Sequence, residues 1–274
     1  MSRFLSRLAK FILEHSQVGV VFLFGSVLII WGAFVWANHP RASTILVSIG
    51  ASLVAAAVVT FLSPLNQEVY QRFLGLGIKN IYPSRDDFPA RDWVRWLRRA
   101  KDHCTLLGVA HQGWRRDPEF FDALADRLRH EVQVKIFFLD PTSVLCEIRE
   151  REERRQTRQE TRTSIKLLWE FRRQLPQEIQ DRLTLYVYDS TPSSGTTWID
   201  ESMLIAHYLA GFENLTSPAL LVKPVGGEES MSDLYSIYAQ NVRNVEKKES
   251  THKIDETNIG QYTEIAQEGA DAQL

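Results

Sequence analysis

A cluster of polar and aromatic side chains directly follows a short apolar run, residues 104–110. The cluster consists of His111, Gln112, Trp114, Arg115 and Arg116. If the run is a strand of an open α/β sheet, these residues lie at its carboxyl end, where such sheets bind ligands. An aromatic ring beside two guanidinium groups can stack on a base and hold a phosphate. We therefore predict a ligand-binding site; the alternative is an exposed loop with a half-buried tryptophan. The predicted site residues are His111, Trp114, Arg115 and Arg116.

Two further residues are candidates for acid–base chemistry. Asp200 and His207 would complete, with His111, the catalytic set of a phosphodiester-cleaving enzyme with a non-standard site. The other histidines do not form a metal ligand set, and the sequence has no glycine-rich phosphate loop, so we predict neither a metal nor a cofactor. Cys104 and Cys146 lack the spacing of a redox pair, and we expect them to be reduced, buried thiols.

The elements that must position these residues alternate between strand and helix. Residues 104–110 and 133–139 are apolar runs of strand length. Between them, Asp117 is suited to cap a helix that starts at Pro118, because proline is favoured at the first helical position. A strand, helix and strand in this order predict a parallel βαβ pair.

The second half of the domain continues with one long helix and several short strands. The charge pattern predicts a single solvated helix over residues 143–175, crossed by arginine–glutamate ion pairs. Short links between the later strands predict antiparallel hairpins at one side of the sheet. The predicted strands are residues 183–188, 198–200, 203–209 and 219–223, and a closing helix covers residues 232–247.

Three stretches carry a resemblance to a known fold. They are residues 106–110 with the acid-capped helix after them, residues 134–141, and residues 183–200 with the strand around Ile205 and the segment Ser217-Pro218-Ala219. Together they resemble the phospholipase D-like fold in a single-unit form, over about residues 78–247. The resemblance implies a mixed-sheet α/β domain of the kind that phosphodiesterases use.

The catalytic signature of that family, His-x-Lys-x4-Asp, is absent from this sequence. With Asp200 at the acidic position, the histidine position holds Ser193 and the lysine position holds Gly195. Starting from His207 places Leu209 at the lysine position, which fails as well. A serine without a partnered base is a poor nucleophile at neutral pH. The sequence therefore predicts a pseudoenzyme without catalytic residues.

Two apolar runs, residues 18–36 and 42–62, precede this domain, and neither contains an ionisable side chain. A helix needs about 20 apolar residues to cross a hydrocarbon core, so we predict a transmembrane hairpin whose second helix ends at Pro64. A buried helical pair is the alternative. The expected fold class is thus α/β: an N-terminal transmembrane helical hairpin followed by a mixed-sheet phospholipase D-like α/β domain.

Basic residues flank the hairpin on both sides, while the turn holds only Arg41. The positive-inside rule therefore predicts a multi-pass protein of the bacterial inner membrane, with both termini in the cytoplasm. The predicted segments are an interfacial amphipathic helix (1–17), the hairpin (18–62), a juxtamembrane connector (63–90), the cytoplasmic α/β domain (91–248) and a disordered tail (249–274).

These features predict a membrane-anchored, non-catalytic sensor and effector. A ligand or partner would bind the cytoplasmic domain, and oligomerised transmembrane helices would then disturb the inner membrane. In organisation the chain resembles two-span membrane effectors of bacterial anti-phage defence. The expected partners are a lipid bilayer, further copies of the chain, and a nucleotide or protein trigger. With 32 basic and 34 acidic residues, we expect no DNA binding.

Two other functions stay open at this point. One is a membrane-tethered phosphodiesterase or nuclease that uses His111, Asp200 and His207. The other is a membrane scaffold that recruits a partner protein.

Overall fold

The computed structural model describes residues 16–35, 40–115, 117–209, 214–225 and 232–264. The chain divides into two compact units, Met1–Phe73 and Leu74–Leu274. The interfacial helix expected over residues 1–17 lies almost entirely outside the described residues, and so does the end of the chain from residue 265.

The first unit contains helix α1 (Ser16–Val35) and all but the last two residues of helix α2 (Pro40–Gly75). They approach closely through small residues, because a Cβ atom on Gly50 would lie 2.6 Å from the carbonyl oxygen of Gly25. The Ser43 hydroxyl also donates a hydrogen bond of 2.7 Å to the carbonyl oxygen of Gly32. The expected helical pair is present, and small residues at its interface explain the close approach.

Two features of this pair differ from expectation. Helix α2 does not end at Pro64 but continues to Gly75, since the residues after the proline include several good helix formers. Over the described residues, no helix combines the length and the apolar character that a membrane crossing requires. The transmembrane assignment of the hairpin is therefore without support from the structure.

The second unit is a mixed α/β fold. Its strands are β1 (Ile78–Tyr82), β2 (His103–Gly108), β3 (Gln133–Leu139), β4 (Leu183–Tyr188), β5 (Ser194–Ile199), β6 (Ser202–His207), β7 (Ala219–Val222) and β8 (Thr251–Lys253). Its helices are α3 (Ala90–Leu97), α4 (Gln112–Arg115), α5 (Phe120–Arg129), α6 (Val144–Glu153), α7 (Thr157–Gln174), α8 (Gln177–Gln180), α9 (Leu234–Glu246) and α10 (Ile259–Thr263). Single 3-10 turns cover Arg85–Asp87 and Asn214–Thr216.

The eight strands form one sheet in the order β1-β7-β6-β5-β2-β3-β4-β8. Strands β2, β3 and β4 pair in parallel, and every other neighbouring pair is antiparallel. The predicted parallel βαβ pair is confirmed, and so are the antiparallel hairpins at one side of the sheet. The predicted α/β class with a mixed sheet is therefore correct.

Both faces of the central strands are covered. In β3, Ile136 and Phe138 belong to the core on one face, while Phe137 and Leu139 belong to the core on the other. Strands buried on two faces are continuous apolar runs, which explains why this strand was predictable from sequence. The two cysteines are buried and unpaired, and burial raises the pKa of each thiol to about 12.

Two boundaries in this unit were predicted wrongly. The expected single helix over residues 143–175 is two helices, because Arg154 adopts a left-handed conformation (φ 52°, ψ 44°) that ends α6. The expected disordered tail begins too early, since β8 pairs with β4 and α10 follows it. Ile254 and Tyr262 are 2% and 3% exposed, so two isolated apolar side chains anchor this segment to the core.

The close contact at Gly50 gives a first prediction. Gly50→Ala should destabilise the helical pair by about 1–3 kcal/mol, because the new methyl group overpacks the interface. The matched control is Gly75→Ala, since no atom of the described residues lies within 4 Å of a Cβ atom placed there. Thermal unfolding of the full-length chain, followed by circular dichroism, measures the difference. Equal unfolding curves for the two variants would contradict the close approach.

Candidate functional site

A cleft lies at the carboxyl end of β2, where the pairing of the sheet changes. Strand β2 is parallel to β3 on one side and antiparallel to β5 on the other. Open sheets bind ligands at such switch points. The cavity volume is about 60 Å³, and we call it the β2 cleft. Its polar lining consists of Arg85, His111, Gln112, Glu153, Arg155, Thr157, Glu160 and Tyr208.

His111 is fixed at the base of this cleft. Its backbone is left-handed, with φ 52°. Nε2 donates a hydrogen bond of 2.9 Å to the carbonyl oxygen of Phe137, so the neutral ring carries its proton on Nε2. A Cβ atom on Gly108 would lie 2.8 Å from Cε1 of the ring, so the ring position requires this glycine. Burial lowers the pKa of His111 to about 4, and the side chain is therefore uncharged at neutral pH.

Arg85 enters the cleft from the β1 edge of the sheet. Its backbone N–H donates a hydrogen bond of 2.9 Å to the carbonyl oxygen of Ser217, which fixes the 3-10 turn that carries it. Burial lowers the pKa of Arg85, and the nearby Tyr208 opposes that shift. The Tyr208 hydroxyl accepts a hydrogen bond of 2.9 Å from the Val109 N–H. The cleft thus holds a partly desolvated cation beside a buried phenol.

Arginine side chains neutralise the carboxylates of the cleft. Arg149, which is 6% exposed, forms an ion pair with Glu153. Arg155 lies 3.0 Å from Glu160, and its guanidinium also donates to the side-chain oxygen of Gln112. Both acidic side chains of the lining are therefore paired with an arginine, and Arg85 contributes another guanidinium to the lining.

The structure places part of the predicted ligand-binding group here. His111 lines the β2 cleft, as does its neighbour Gln112. The side chains of Trp114 and Arg115, and all of Arg116, lie outside the described residues. Their predicted role therefore stays a prediction.

Asp200 lies far from this cleft and has a structural environment. It occupies the turn between β5 and β6 with φ 48°, and its carboxylate accepts three backbone hydrogen bonds. The donors are the N–H groups of Lys101 (2.9 Å), Asp102 (3.0 Å) and His103 (3.2 Å). His103 begins β2, whereas His111 follows its end, so the strand separates Asp200 from His111.

His207 does not approach His111 either. It ends β6, and its Nε2 atom lies 3.1 Å from the hydroxyl of Tyr238 on α9. Tyr238 packs against one core of the sheet, whereas the Phe138 ring that contacts His111 belongs to the other core. The structure thus does not bring His111, Asp200 and His207 together as one catalytic set.

Sequence reasoning missed Arg85, Arg155 and Thr157. Arg155 and Thr157 fall in the charge-rich stretch whose pattern predicts one continuous helix, so no sequence signal marks the helix start at Thr157. Arg85 reaches the cleft only through the pairing of β1 with β7. Within the described ranges, no three His, Cys, Asp or Glu side chains are grouped as a metal ion would require.

Solved structures of low sequence identity are similar to parts of this chain. The sequence matches no protein-family model and no curated protein. The structure of TrmBL2, an archaeal chromatin protein with a novel mode of DNA binding, is similar with a TM-score of 0.36 and 9% identity, over 75% of this chain and 68% of that one. Phosphatidylserine synthase from Haemophilus influenzae Rd KW20 is similar with a TM-score of 0.38 and 10% identity, over 59% of this chain and 36% of that one. Similarity at this level assigns no function.

The comparison does correct the expected partners. We expected a lipid bilayer, further copies of the chain and a nucleotide or protein trigger, and no DNA. The archaeal chromatin protein named above is instead described as DNA-binding, and neither of the two named structures points to a bilayer or to self-association. The prediction of partners is therefore wrong, although the similarity is too low to transfer DNA binding to this chain.

The buried His111 predicts a pH dependence of stability. The pKa of its imidazole falls from an ordinary value of 6.5 to about 4 on folding. Between these values the unfolded state binds a proton that the folded state does not, so the stabilisation present above about pH 6.5 is lost as the pH falls towards 4. Urea unfolding at pH 7 and pH 5 should show a smaller loss for His111→Gln than for the natural sequence.

The control for this measurement is His130→Gln, because the His130 side chain is 62% exposed. This variant should keep the full loss of stability between pH 7 and pH 5. If both variants lose the same amount, His111 is not the group responsible.

Proposed function

We propose that this protein is a membrane-anchored, non-catalytic sensor whose α/β unit has a degenerate phospholipase D-like fold and binds a ligand in the β2 cleft. The observation that carries the proposal is the environment of Asp200. At the position where the family motif has its acidic residue, this carboxylate is bonded to three backbone amides at the start of β2. The carboxylate oxygens of Asp200 therefore fix the backbone at the start of β2.

The other two motif positions support the same conclusion. Ser193 occupies the place of the nucleophilic histidine, and its carbonyl oxygen accepts a hydrogen bond of 3.1 Å from the N–H of Tyr208. Gly195 occupies the place of the phosphate-binding lysine and lies within β5, opposite Ala206. A glycine supplies no charge, and a serine without an adjacent base is not activated for attack on phosphorus.

Ligand binding is the function that the remaining geometry favours. The β2 cleft lies at a switch point of the sheet and contains paired carboxylates, a neutral imidazole and the partly desolvated Arg85. Such a set can bind and orient a ligand. Residues of the cleft come from the β1 edge, from the segment after β2 and from helices α6 and α7, so a bound ligand would contact several elements at once.

The membrane anchor is the second part of the proposal. Residues 18–36 and 42–62 contain no ionisable side chain, and the flanking basic residues favour a cytoplasmic location for both chain ends. In the helical pair, large apolar side chains such as Leu23 and Phe34 are 65% and 86% exposed. Contiguous apolar surface of this kind is unfavourable in water and typical of interaction surfaces. Location in the bacterial inner membrane would cover it.

Replacing Asp200 tests its structural role. Asp200→Ala should lower the free energy of unfolding by about 1–3 kcal/mol, because three backbone donors, one of them partly buried, lose a charged acceptor. Glu201→Ala is the control, since Glu201 is exposed and next in the chain. Urea unfolding of the full-length protein measures both. An Asp200→Ala variant as stable as Glu201→Ala would remove the argument for a structural carboxylate.

The same preparations test the absence of catalysis. The natural protein should hydrolyse neither bis(p-nitrophenyl) phosphate nor a phosphatidyl diester above the rate of buffer. Turnover that disappeared in Asp200→Ala at unchanged stability would overturn the non-catalytic part of the proposal.

Cell fractionation tests the anchor. The full-length chain should stay in the membrane pellet after carbonate extraction, because its helical pair has apolar side chains that favour a non-aqueous environment. A chain without residues 1–73 should move to the supernatant, since that deletion removes the first compact unit alone. Full-length protein in the supernatant after ultracentrifugation would show that the chain is not anchored.

A further inference from the structure

We propose that the β2 cleft is a binding site for the tetrahedral oxyanion of a small phosphorylated ligand, held by Thr157, Arg85, Arg155 and the N-terminus of helix α7. This inference rests on the proposed function and names the class of ligand that the sensor would bind. The site is separate from the positions of the family motif, because Ser193 lines a different cleft with Tyr188, Asn241 and Lys248.

The start of helix α7 supplies the first element of the site. This helix has 18 residues, and Thr157 is its first residue. In the described part of the chain, Gln156 at the N-cap position gives no side-chain hydrogen bond to the helix end. The first N–H groups of a helix have no intrahelical acceptor, and together they carry a partial positive charge. Phosphate and sulfate groups bind at helix ends of this kind.

The hydroxyl of Thr157 is an independent observation. Thr157 lines the β2 cleft, is 2% exposed, and its Oγ1 atom has no hydrogen-bond partner among the residues that the structure describes. Two buried hydroxyls further along the helix are satisfied. Thr161 donates to the carbonyl oxygen of Thr157 (2.9 Å), and Ser164 donates to that of Ala110 (2.6 Å). Of these three residues, the one whose hydroxyl lacks a partner is the one that lines the cleft.

A buried hydroxyl without a partner is unfavourable by about 1–3 kcal/mol. Valine has nearly the same shape and would avoid this penalty. The presence of threonine instead of valine at position 157 is therefore explained if a ligand atom accepts a hydrogen bond from its hydroxyl. An anionic oxygen is the acceptor that suits the neighbouring helix end as well.

Two guanidinium groups in the cleft can donate hydrogen bonds to an anion. The lining contains Arg85 and Arg155 with Glu153 and Glu160, and Glu153 is paired with Arg149 behind it. Arg149 is also paired with Glu152, so arginines and carboxylates are equal in number at the site. His111 neither attracts nor repels an anion through charge, because its pKa of about 4 keeps the ring neutral at pH 7. Arginine guanidinium groups match the geometry of tetrahedral oxyanions.

The dimensions limit what can bind. About 60 Å³ is several times the ~10–15 Å³ of cavity volume that a single water molecule needs, which suits an oxyanion head group. A second cavity of about 120 Å³ adjoins the first and shares Arg85 with it. Phe88 and Trp93 line that second cavity, so the remainder of the ligand would meet aromatic side chains there. The ligand class is therefore a small phosphomonoester. Its phosphate would occupy the β2 cleft, the rest of the molecule would occupy the second cavity, and Arg85 would lie between the two.

The test uses the purified full-length protein and titration calorimetry with inorganic phosphate and glycerol 3-phosphate, against sodium chloride at equal ionic strength. We expect saturable binding of both phosphates and none of chloride. Thr157→Val should weaken phosphate binding roughly tenfold, the effect of losing one hydrogen bond to a charged group. Thr163→Val is the matched control, because its hydroxyl bonds to the carbonyl oxygen of Gln159 on the same helix.

A second readout separates a binding role from a structural one. Without ligand, Thr157→Val should melt at the same or a higher temperature than the natural protein, because the unsatisfied hydroxyl is gone. Arg85→Gln should also weaken phosphate binding by tenfold or more, which tests the site without a change in the helix. Weaker binding in Thr157→Val with retained stability supports the proposal.

Three results would overturn it: no saturable phosphate binding, unchanged binding in both Thr157→Val and Arg85→Gln, or equal weakening in Thr163→Val. Each would leave the non-catalytic, anchored sensor in place, since that proposal depends on the hydrolysis and fractionation experiments. Hydrolysis of a phosphodiester would instead overturn the sensor and leave the phosphate-binding result valid.

Discussion

The α/β unit depends on strand β2, which is fixed at both ends by single residues. At its start, the Asp200 carboxylate binds the backbone of His103 and the two residues before it. At its end, Gly108 leaves the space that the His111 ring fills. Between these points the strand pairs in parallel with β3 and antiparallel with β5. The β2 cleft exists because this mixed pairing separates the connecting segments on the two sides.

The charged helix α6 has a structural role that its composition conceals. Arg149 is 6% exposed and lies 4.9 Å from the ring centre of Tyr208, with Glu153 as its partner. Removing one partner of a buried ion pair leaves an uncompensated charge, which is far more costly than breaking a surface pair. The position of Tyr208 beside Arg85 therefore depends on a charge pair within helix α6.

The sequence identified the elements whose signals are local. Residues 104–110 and 133–139 are apolar runs between clear boundaries, and Asp117 with Pro118 indicated the helix between them, so the parallel pair was predictable. The β2 cleft was only half predictable. His111 follows a strand, which is a local signal, whereas Arg85 and Thr157 are brought to it by strand order and by a helix break without glycine.

Other differences have the same physical origin. Strand β8 has three residues, and its pairing with β4 is stabilised by the burial of Ile254 nearby, which is too little apolar sequence to indicate a strand. Asp200 was a candidate for chemistry because its spacing in the sequence fitted a motif. Its three backbone hydrogen bonds come from residues about a hundred positions earlier, and no sequence pattern reports such contacts.

The polar contacts of Arg155 suit a site that responds to a ligand better than one that performs a reaction. Its guanidinium bonds to Gln112, in the segment after β2, and to Glu160, in helix α7. A ligand that engages Arg155 must compete with these partners, so its binding is coupled to the relative position of two elements. Catalysis requires groups that keep their positions while charge develops, whereas a conformational response requires different affinities for two arrangements. Arg155 bonds both to the segment after β2 and to helix α7, and a ligand can replace these partners. It therefore suits a conformational response.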